Sequence, residues 1–462
     1  MAKYCFCGIS GSGMSALAQI LKFRGNEVYG SDAAFDNGRD EARKKHFESL
    51  GIKIFPQDGS QIDDDVECLF LSAAIKGQNP DVDAANAKNI PIKYRSDLLA
   101  NLFHQYKHSI AISGTSGKTT TTAMVGYILN KLAQKPTVIG GGIFKNYEAE
   151  NDIANYIYND GDICVIEADE SDGSLVKYHP YIGVINNISN DHQPIEVLEE
   201  FFAEFATRCD FGLIVNDDCE YLSEINHHKN TVRYALDHRP VRFSLKNPDA
   251  DLFATNIKPI KGGISYDLGN QNFKLNLLGN FNVSNALAAI AVCELLGIDK
   301  YDAATALESF LGTKRRLELI GVKNNITVID DFAHNPDKIY NSTKALKDYD
   351  GRIIVMFQPH GVPNMKIMGM EIMESYAKVL GKDDILVMPE IFLAAPEDLT
   401  EMSSQKLIDY AKSMGVNAHF LGTKENCKNF MAENAKSGDR ILIQGARDNS
   451  LPAFCVEVLE AL

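Results

Sequence analysis

Short apolar runs alternate with longer stretches of helical periodicity from one end of the chain to the other. The first run, Tyr4–Gly8, predicts a buried strand; a glycine turn follows, and Met14–Phe23 has the spacing of a helix. The rhythm continues through GNEVYGSD, CLFLSAAI and the helical SDLLANLFHQY. At HSIAISG the chain re-enters a strand, and DICVIEADES and YIGVINNIS read as further buried strands. Alternation of this kind predicts an α/β fold class built on parallel sheets. From about residue 240 to 278 the pattern changes to short alternating runs separated by turn residues, which predicts a small antiparallel appendage. The helical NVSNALAAIAVCELLG then closes the central unit. After LGTKRRLE a further α/β unit runs through NITVIDDFA, GRIIVMFQPH, DILVMPEIF and DRILIQGA to a final helix ending at Leu462.

With 462 residues, the chain is about three times the usual domain size. We therefore expect three domains: 1–107, Rossmann-like; 108–313, of P-loop ATPase type with the antiparallel appendage; and 314–462, Rossmann-like again. A formal charge of −16 argues against general binding to nucleic acid or to acidic membranes. Anionic substrates would have to be held by local cations and backbone amides. No apolar run approaches the ~20 residues of a membrane span, and the N-terminus lacks the layout of a signal peptide. Nine cysteines, with no C-x-x-C pair and mostly inside apolar stretches, predict buried reduced thiols and a cytoplasmic setting.

Three stretches carry candidate chemistry. In the opening turn GISGSGMSA, Gly11, Gly13 and Ala16 form G-x-G-x-x-A, and Asp32 follows at the end of the next strand. Glycines there let a backbone approach a diphosphate, which fits an NAD-type dinucleotide or a nucleotide sugar; a tight turn with no ligand has the same pattern. The second stretch is Gly114-Thr115-Ser116-Gly117-Lys118-Thr119-Thr120, between a strand and a helix. It is not a standard Walker A loop, which would need glycine where Ile112 stands. A helix merely capped by threonines is the bland alternative, but Gly-x-x-Gly-Lys-Thr-Thr in this context points to a phosphate cradle. Lys118 would balance phosphate charge and Thr119 or Thr120 would reach Mg²⁺. The third is a set of strand ends. DICVIEADESDGS delivers Glu167, Asp169, Glu170 and Asp172, and NNISNDH delivers Asn186, Asn187, Asp191 and His192. Clustered carboxylates call for a cation. Glu167 and His192 could share a metal with bound phosphates, although a loop or cap role would also suit His192.

GISGSGMSALA, GTSGKTTTT, EADESDGS, NNISNDH, GNFNVSNALAA, KRRLE and DDFAHNP occur together and in order. In this the chain resembles the Mur ligases, the ATP-dependent amide-forming family of peptidoglycan precursor synthesis, across all three expected domains. The resemblance implies ATP and Mg²⁺ as cofactors, with Gly114, Lys118 and Thr119 on the phosphates and one Mg²⁺. Glu167 would ligate that ion and His192 a second. Asn282 and Asn285 would lie near the adenine, although Asn282 could equally be a helix cap. Arg315 or Arg316 would reach the phosphates, and Asp330 or Asp331 the ribose or the linker region. The opening turn would hold UDP through Gly11, Ser12, Gly13, Met14, Ser15, Ser31, Asp32 and Ser72. His334 and His360 would face the acceptor.

GISGSGMS, GSD and FQPH resemble members that join L-alanine to UDP-N-acetylmuramate, whereas DDFAHNP and GARDN lean towards the muropeptide-recycling ligase, which attaches a tripeptide. The alanine-adding pattern has histidine where Ser116 and Phe281 stand, and Arg-Tyr-x-Arg where this chain reads GVPNMK. Arg447 in GARDN is a possible substitute for the missing arginine. The absence of lysine between His192 and Lys229 disfavours members that use a carbamylated lysine. Implied partners are small molecules, UDP-N-acetylmuramate with L-alanine or a short peptide, bound by a monomer or homodimer. An NAD-dependent oxidoreductase would leave residues 111–122 unexplained; a nucleotide-binding paralogue without catalysis is the remaining rival.

Overall fold

The computed structural model describes residues 1–75, 77–148, 154–170, 174–189, 194–225, 240–393 and 400–462. The chain forms two compact units. The first contains Met1–Ser189, Gln193–Phe253 and Asn285–Phe310; the second contains Ala254–Ser284 and Leu311–Leu462.

Two sheets organise the first unit. The N-terminal one is wholly parallel, in the order Lys53–Phe55, Glu27–Ser31, Lys3–Cys7, Cys68–Leu71, Ile92–Tyr94. Helix Ser12–Phe23 starts at Gly11, directly beyond the central strand. In the second sheet, strand His108–Ser113 lies between Ile163–Glu167 and Ile182–Ile185, with Ile112 opposite Glu167 and Ser113 opposite Ile185. Both neighbours are parallel to it, so the loop after Ser113 is flanked by the carboxyl ends of two strands, the usual ligand position in α/β sheets. These strands are buried along their length because helices cover parallel sheets on both faces. Residues 1–107 share a continuous core with the central sheet, in which Phe103 meets Tyr178 edge-on with ring centroids 5.7 Å apart.

One expectation is corrected. The stretch from 240 is not wholly antiparallel: Val241–Ser244 runs parallel to Gly212–Asn216, with Ile214 opposite Val241. Asp218 accounts for this. Its carboxylate accepts from Ser244 Oγ at 2.5 Å and from the Leu245 amide at 2.7 Å, pinning the strand end to the sheet. The antiparallel part is the meander Leu252–Ile260, Gly263–Leu268, Gln271–Leu275.

The main sheet of the second unit has the order Glu318–Lys323, Ile326–Asp331, Arg440–Gln444, Ile353–Phe357, Ile385–Pro389, Ala418–Gly422, antiparallel only at the first pair. Asp331 and Phe357 both register with Gln444, which brings three strand ends together. Helix Pro336–Lys347 begins there, with Asn335 accepting from the Lys338 amide at 2.9 Å and Pro336 fixing the first turn. No described helix is long and apolar enough to cross a membrane.

Candidate active site

The phosphate-loop candidate is held from one side by two asparagines. Asn187 Oδ1 accepts from the Ser116 amide at 2.8 Å, its Nδ2 donates to Ser116 O at 3.0 Å, and its carbonyl takes the Thr115 amide at 3.0 Å. Asn186 Nδ2 donates to Thr121 Oγ1 at 2.9 Å, while its buried Oδ1 has no partner among the described residues. Gly114 and Gly117 have φ of +121° and +84°. A Cβ on Gly117 would come within 2.4 Å of Asn285 Oδ1, and one on Gly114 within 3.0 Å of the Asn186 and Asn187 amides. Both glycines are therefore required by handedness and by space. Helix Lys118–Lys131 starts immediately after the loop, and its first amides have no helical partner to donate to. A helix start of this kind is suited to an anion.

Lys118 Nζ is surrounded by anionic and carbonyl oxygens: Glu170 Oε2 at 2.7 Å, Gly114 O at 2.7 Å and Asp169 Oδ1 at 3.6 Å. Burial opposes its charge, but Glu170 and Asp169 outweigh that cost and its pKa is raised. On the next helical residue, Thr119 Oγ1 donates to Glu167 Oε1 at 3.0 Å, while the Gly141 amide donates to Glu167 Oε2 at 2.7 Å. Thr120 is buried beside it. The Thr119–Glu167 pair is an all-oxygen donor set. It fits Mg²⁺, which binds through one or two protein oxygens and completes its shell with phosphates and water. Among the described residues no cluster of three His, Cys, Asp or Glu could hold a metal. His192 lies outside the described residues. Glu170 was visible in the sequence as one carboxylate of four; its pairing with Lys118 was not.

At the opening turn, Asp32 Oδ2 accepts from the Ser10 amide at 2.9 Å and from Ser10 Oγ at 2.6 Å, and Oδ1 accepts from the Ala34 amide at 2.9 Å. Asp32 thus shapes the turn. Ser31 Oγ is committed to Asp81 at 2.5 Å, and the Ser72 amide to Cys7 O at 3.1 Å. Met14 and Ser15 are buried, and the Ser15 amide is spent on Gly11 O, leaving the amides of Ser12, Gly13 and Met14 at the helix start. Two cations missed in the sequence flank this turn. Arg43 donates to Ser10 O, and Arg95 lies so close that a Cβ on Gly13 would be 2.9 Å from its Cδ.

In the second unit, Asn282 Nδ2 donates to Leu278 O at 2.8 Å, within helix Asn280–Leu295 rather than as its cap. Arg315 pairs with buried Asp330 at 3.3 Å, whereas Arg316 lies over the Phe332 ring at 5.2 Å. Burial lifts the Asp330 carboxyl to about 7, with Arg315 only partly offsetting it. Asp331 accepts from the Leu317 amide at 3.2 Å and from Gln444 at 3.3 Å. His334 and His360 lie with ring centroids 5.8 Å apart; His334 Nδ1 meets Phe332 O at 3.0 Å, and the buried Nδ1 of His360 has no partner among the described residues. Burial, then the nearby charge of Arg447, lowers the His360 pKa and favours neutral imidazole.

Three family models match in succession: "Mur ligase family, catalytic domain" over residues 3–107, "Mur ligase middle domain" over 112–293, and "Mur ligase, glutamate ligase domain" over 315–447. A protein named UDP-N-acetylmuramate–L-alanine ligase from Caldicellulosiruptor bescii is 35% identical, the alignment covering 97% of this chain and 96% of that one. One of the same name from Sulfurihydrogenibium sp. is 33% identical over 96% and 94% of the two chains. Among solved structures, a UDP-N-acetylmuramate–alanine ligase from Thermotoga maritima superposes with a TM-score of 0.78 at 26% identity, over 100% and 99% of the chains. A murein peptide ligase from Psychrobacter arcticus shares the fold, with a TM-score of 0.67 at 22% identity over 100% and 98%. Matched in turn by all three domains of one family, and related end to end to named members, the chain belongs to the Mur ligases.

Proposed function

We propose that this chain is an ATP-dependent carboxylate–amine ligase that joins L-alanine to UDP-N-acetylmuramate. One observation carries the choice of substrates: 35% identity across 97% of the chain to a protein named for that reaction. In this reading residues 1–107 bind the UDP-sugar, 108–313 bind ATP, and 314–462 bind the acceptor. The amides of Ser12, Gly13 and Met14, with Arg43 and Arg95, offset the diphosphate charge. Lys118 and the amides after Gly117 hold the ATP phosphates, Asn285 and Asn282 serve the adenine, and Arg316 is the cation we assign to the transferring phosphoryl group.

The sugar's carboxylate attacks the γ-phosphorus and ADP leaves, giving an acyl phosphate. The amine nitrogen then adds to the acyl carbon, loses a proton, and expels orthophosphate as the amide forms. A carboxylate is a poor electrophile at neutral pH, so the chain's task is to bring two anions together and spread the moving charge. Mg²⁺, which would be held by Thr119 and Glu167, supplies Lewis-acid compensation of that charge. In this reading His360, whose burial favours the neutral imidazole, takes up the amine's proton beside His334, and Arg447 supplies a cation for the acceptor carboxylate. We further propose a cytoplasmic protein, supported by nine free cysteines of which eight are buried, acting as monomer or homodimer.

The loop after His360 supports a second reading, addition of a preformed tripeptide. No arginine occurs between Arg352 and Arg440 to match the alanine-adding pattern. Incubation with UDP-N-acetylmuramate, ATP and Mg²⁺ plus single amino acids or the tripeptide decides between them. ADP release with L-alanine is expected; release with the tripeptide alone would replace the first reading by the second, and silence with every acceptor would remove both.

A further inference from the structure

Arg315 and Arg316 are adjacent in sequence, yet the fold uses them differently. Arg315 and Leu317 both have left-handed backbones, with φ of 60° and 45°, conformations that non-glycine residues keep only when their surroundings enforce them. The enforcing contacts are visible. The Arg315 amide donates to Glu318 Oε2 at 2.9 Å, its carbonyl accepts from the Phe332 amide at 2.7 Å, and the Leu317 amide donates to Asp331 at 3.2 Å. The guanidinium donates to three acceptors on two strand ends: Asp330 Oδ2 at 3.3 Å, Gly445 O at 2.5 Å and Ala446 O at 3.2 Å. Those two carbonyls immediately precede Arg447. On the other side, Arg315 and Arg316 lie over the same Phe332 ring, at 5.0 and 5.2 Å.

We infer that Arg315 is a positioning residue that yokes Arg316 to Arg447, setting the phosphate-side and acceptor-side cations through one guanidinium. The inference rests on the ligase reading above and extends it, because Arg315 then touches neither substrate. Only a planar fork of N–H donors reaches all three acceptors; an ammonium is a point charge and cannot span them.

The test is Arg315→Lys in the full-length chain, which keeps a cation for Asp330 but loses the fork. The KM values for ATP and for the amine should each rise on the order of tenfold, while that for the UDP-sugar stays within about twofold and the thermal midpoint is unchanged. Arg316→Ala should weaken ATP alone and Arg447→Ala the amine alone. AMP-PNP binding, measured by calorimetry without acceptor, should fall on the order of tenfold in Arg315→Lys. That readout does not depend on which amine is used. A wild type silent with L-alanine, beside an Arg315→Lys variant weakened for AMP-PNP, would sink the substrate assignment and leave the yoke standing. Unchanged AMP-PNP affinity in a folded Arg315→Lys protein would overturn the yoke, as would a rise of all three KM values together with a lower thermal midpoint. Should the lysine variant fail to fold, Arg315→Ala combined with Asp330→Asn removes the buried charge with its partner and is read by the same criteria.

Discussion

Lys118 shows how a buried cation is compensated within the chain. Its side chain is 11% exposed and that of Glu170 4%, so each charge is costly to bury alone. Removing one partner of such a pair costs about 3–5 kcal/mol, because the other charge is stranded. In the proposed reading, Glu170 stands where a phosphate oxygen would otherwise supply the negative charge. Glu170→Gln should lower the thermal midpoint of the nucleotide-free protein by several degrees, and Mg-ATP should restore more stability to the variant than to wild type. Dye-based thermal scans with and without nucleotide measure this. Equal ligand-induced shifts in the two proteins would mean that nucleotide does not replace Glu170 on Lys118. The glycines of the loop belong to the same scale. Gly117 is legible from sequence because its role is local, but the reason for its conservatism of shape, the Asn285 side chain 2.4 Å from any added Cβ, comes from a residue far along the chain.

Among the elements, legibility follows sequence separation. Strand His108–Ser113, the loop after it and helix Lys118–Lys131 are consecutive, and apolar run, glycines and threonines mark each in turn. The carboxyl-end delivery of Glu167 was equally readable from the run ICVIE. What could not be read was pairing. Val241–Ser244 joins the parallel sheet because Asp218, 26 residues earlier, captures Ser244. Arg43 and Arg95 reach the opening turn from two different helices, Glu41–Ser49 and Arg95–Phe103, and nothing in either helix marks them as partners of Ser10 and Gly13. In KRRLE the two arginines are indistinguishable as letters. Only the carbonyls of Gly445 and Ala446, more than a hundred residues later, distinguish Arg315 from Arg316.

Across the whole molecule, charge and thiols constrain behaviour. Under the proposed function, a net charge of −16 means that local cations such as Lys118, Arg43 and Arg95 would hold both nucleotides against the overall field. Association with both nucleotides should accordingly be helped by moderate salt. Burial pushes the Cys5, Cys7, Cys164 and Cys427 thiols up to about 12, and Cys219 alone is half-exposed. Since only thiolate reacts quickly, native protein at neutral pH should titrate with Ellman's reagent at Cys219 and release the remaining thiols only on unfolding. Rapid reaction of several thiols in the native state would contradict the packing described.

The chemistry itself is tested most directly by isotope tracing. UDP-N-acetylmuramate labelled with ¹⁸O in its carboxylate, incubated with ATP, Mg²⁺ and L-alanine, should pass one labelled oxygen to the liberated orthophosphate as the amide forms. Amide product accompanied by wholly unlabelled orthophosphate would contradict an acyl phosphate and the ligase mechanism built on it.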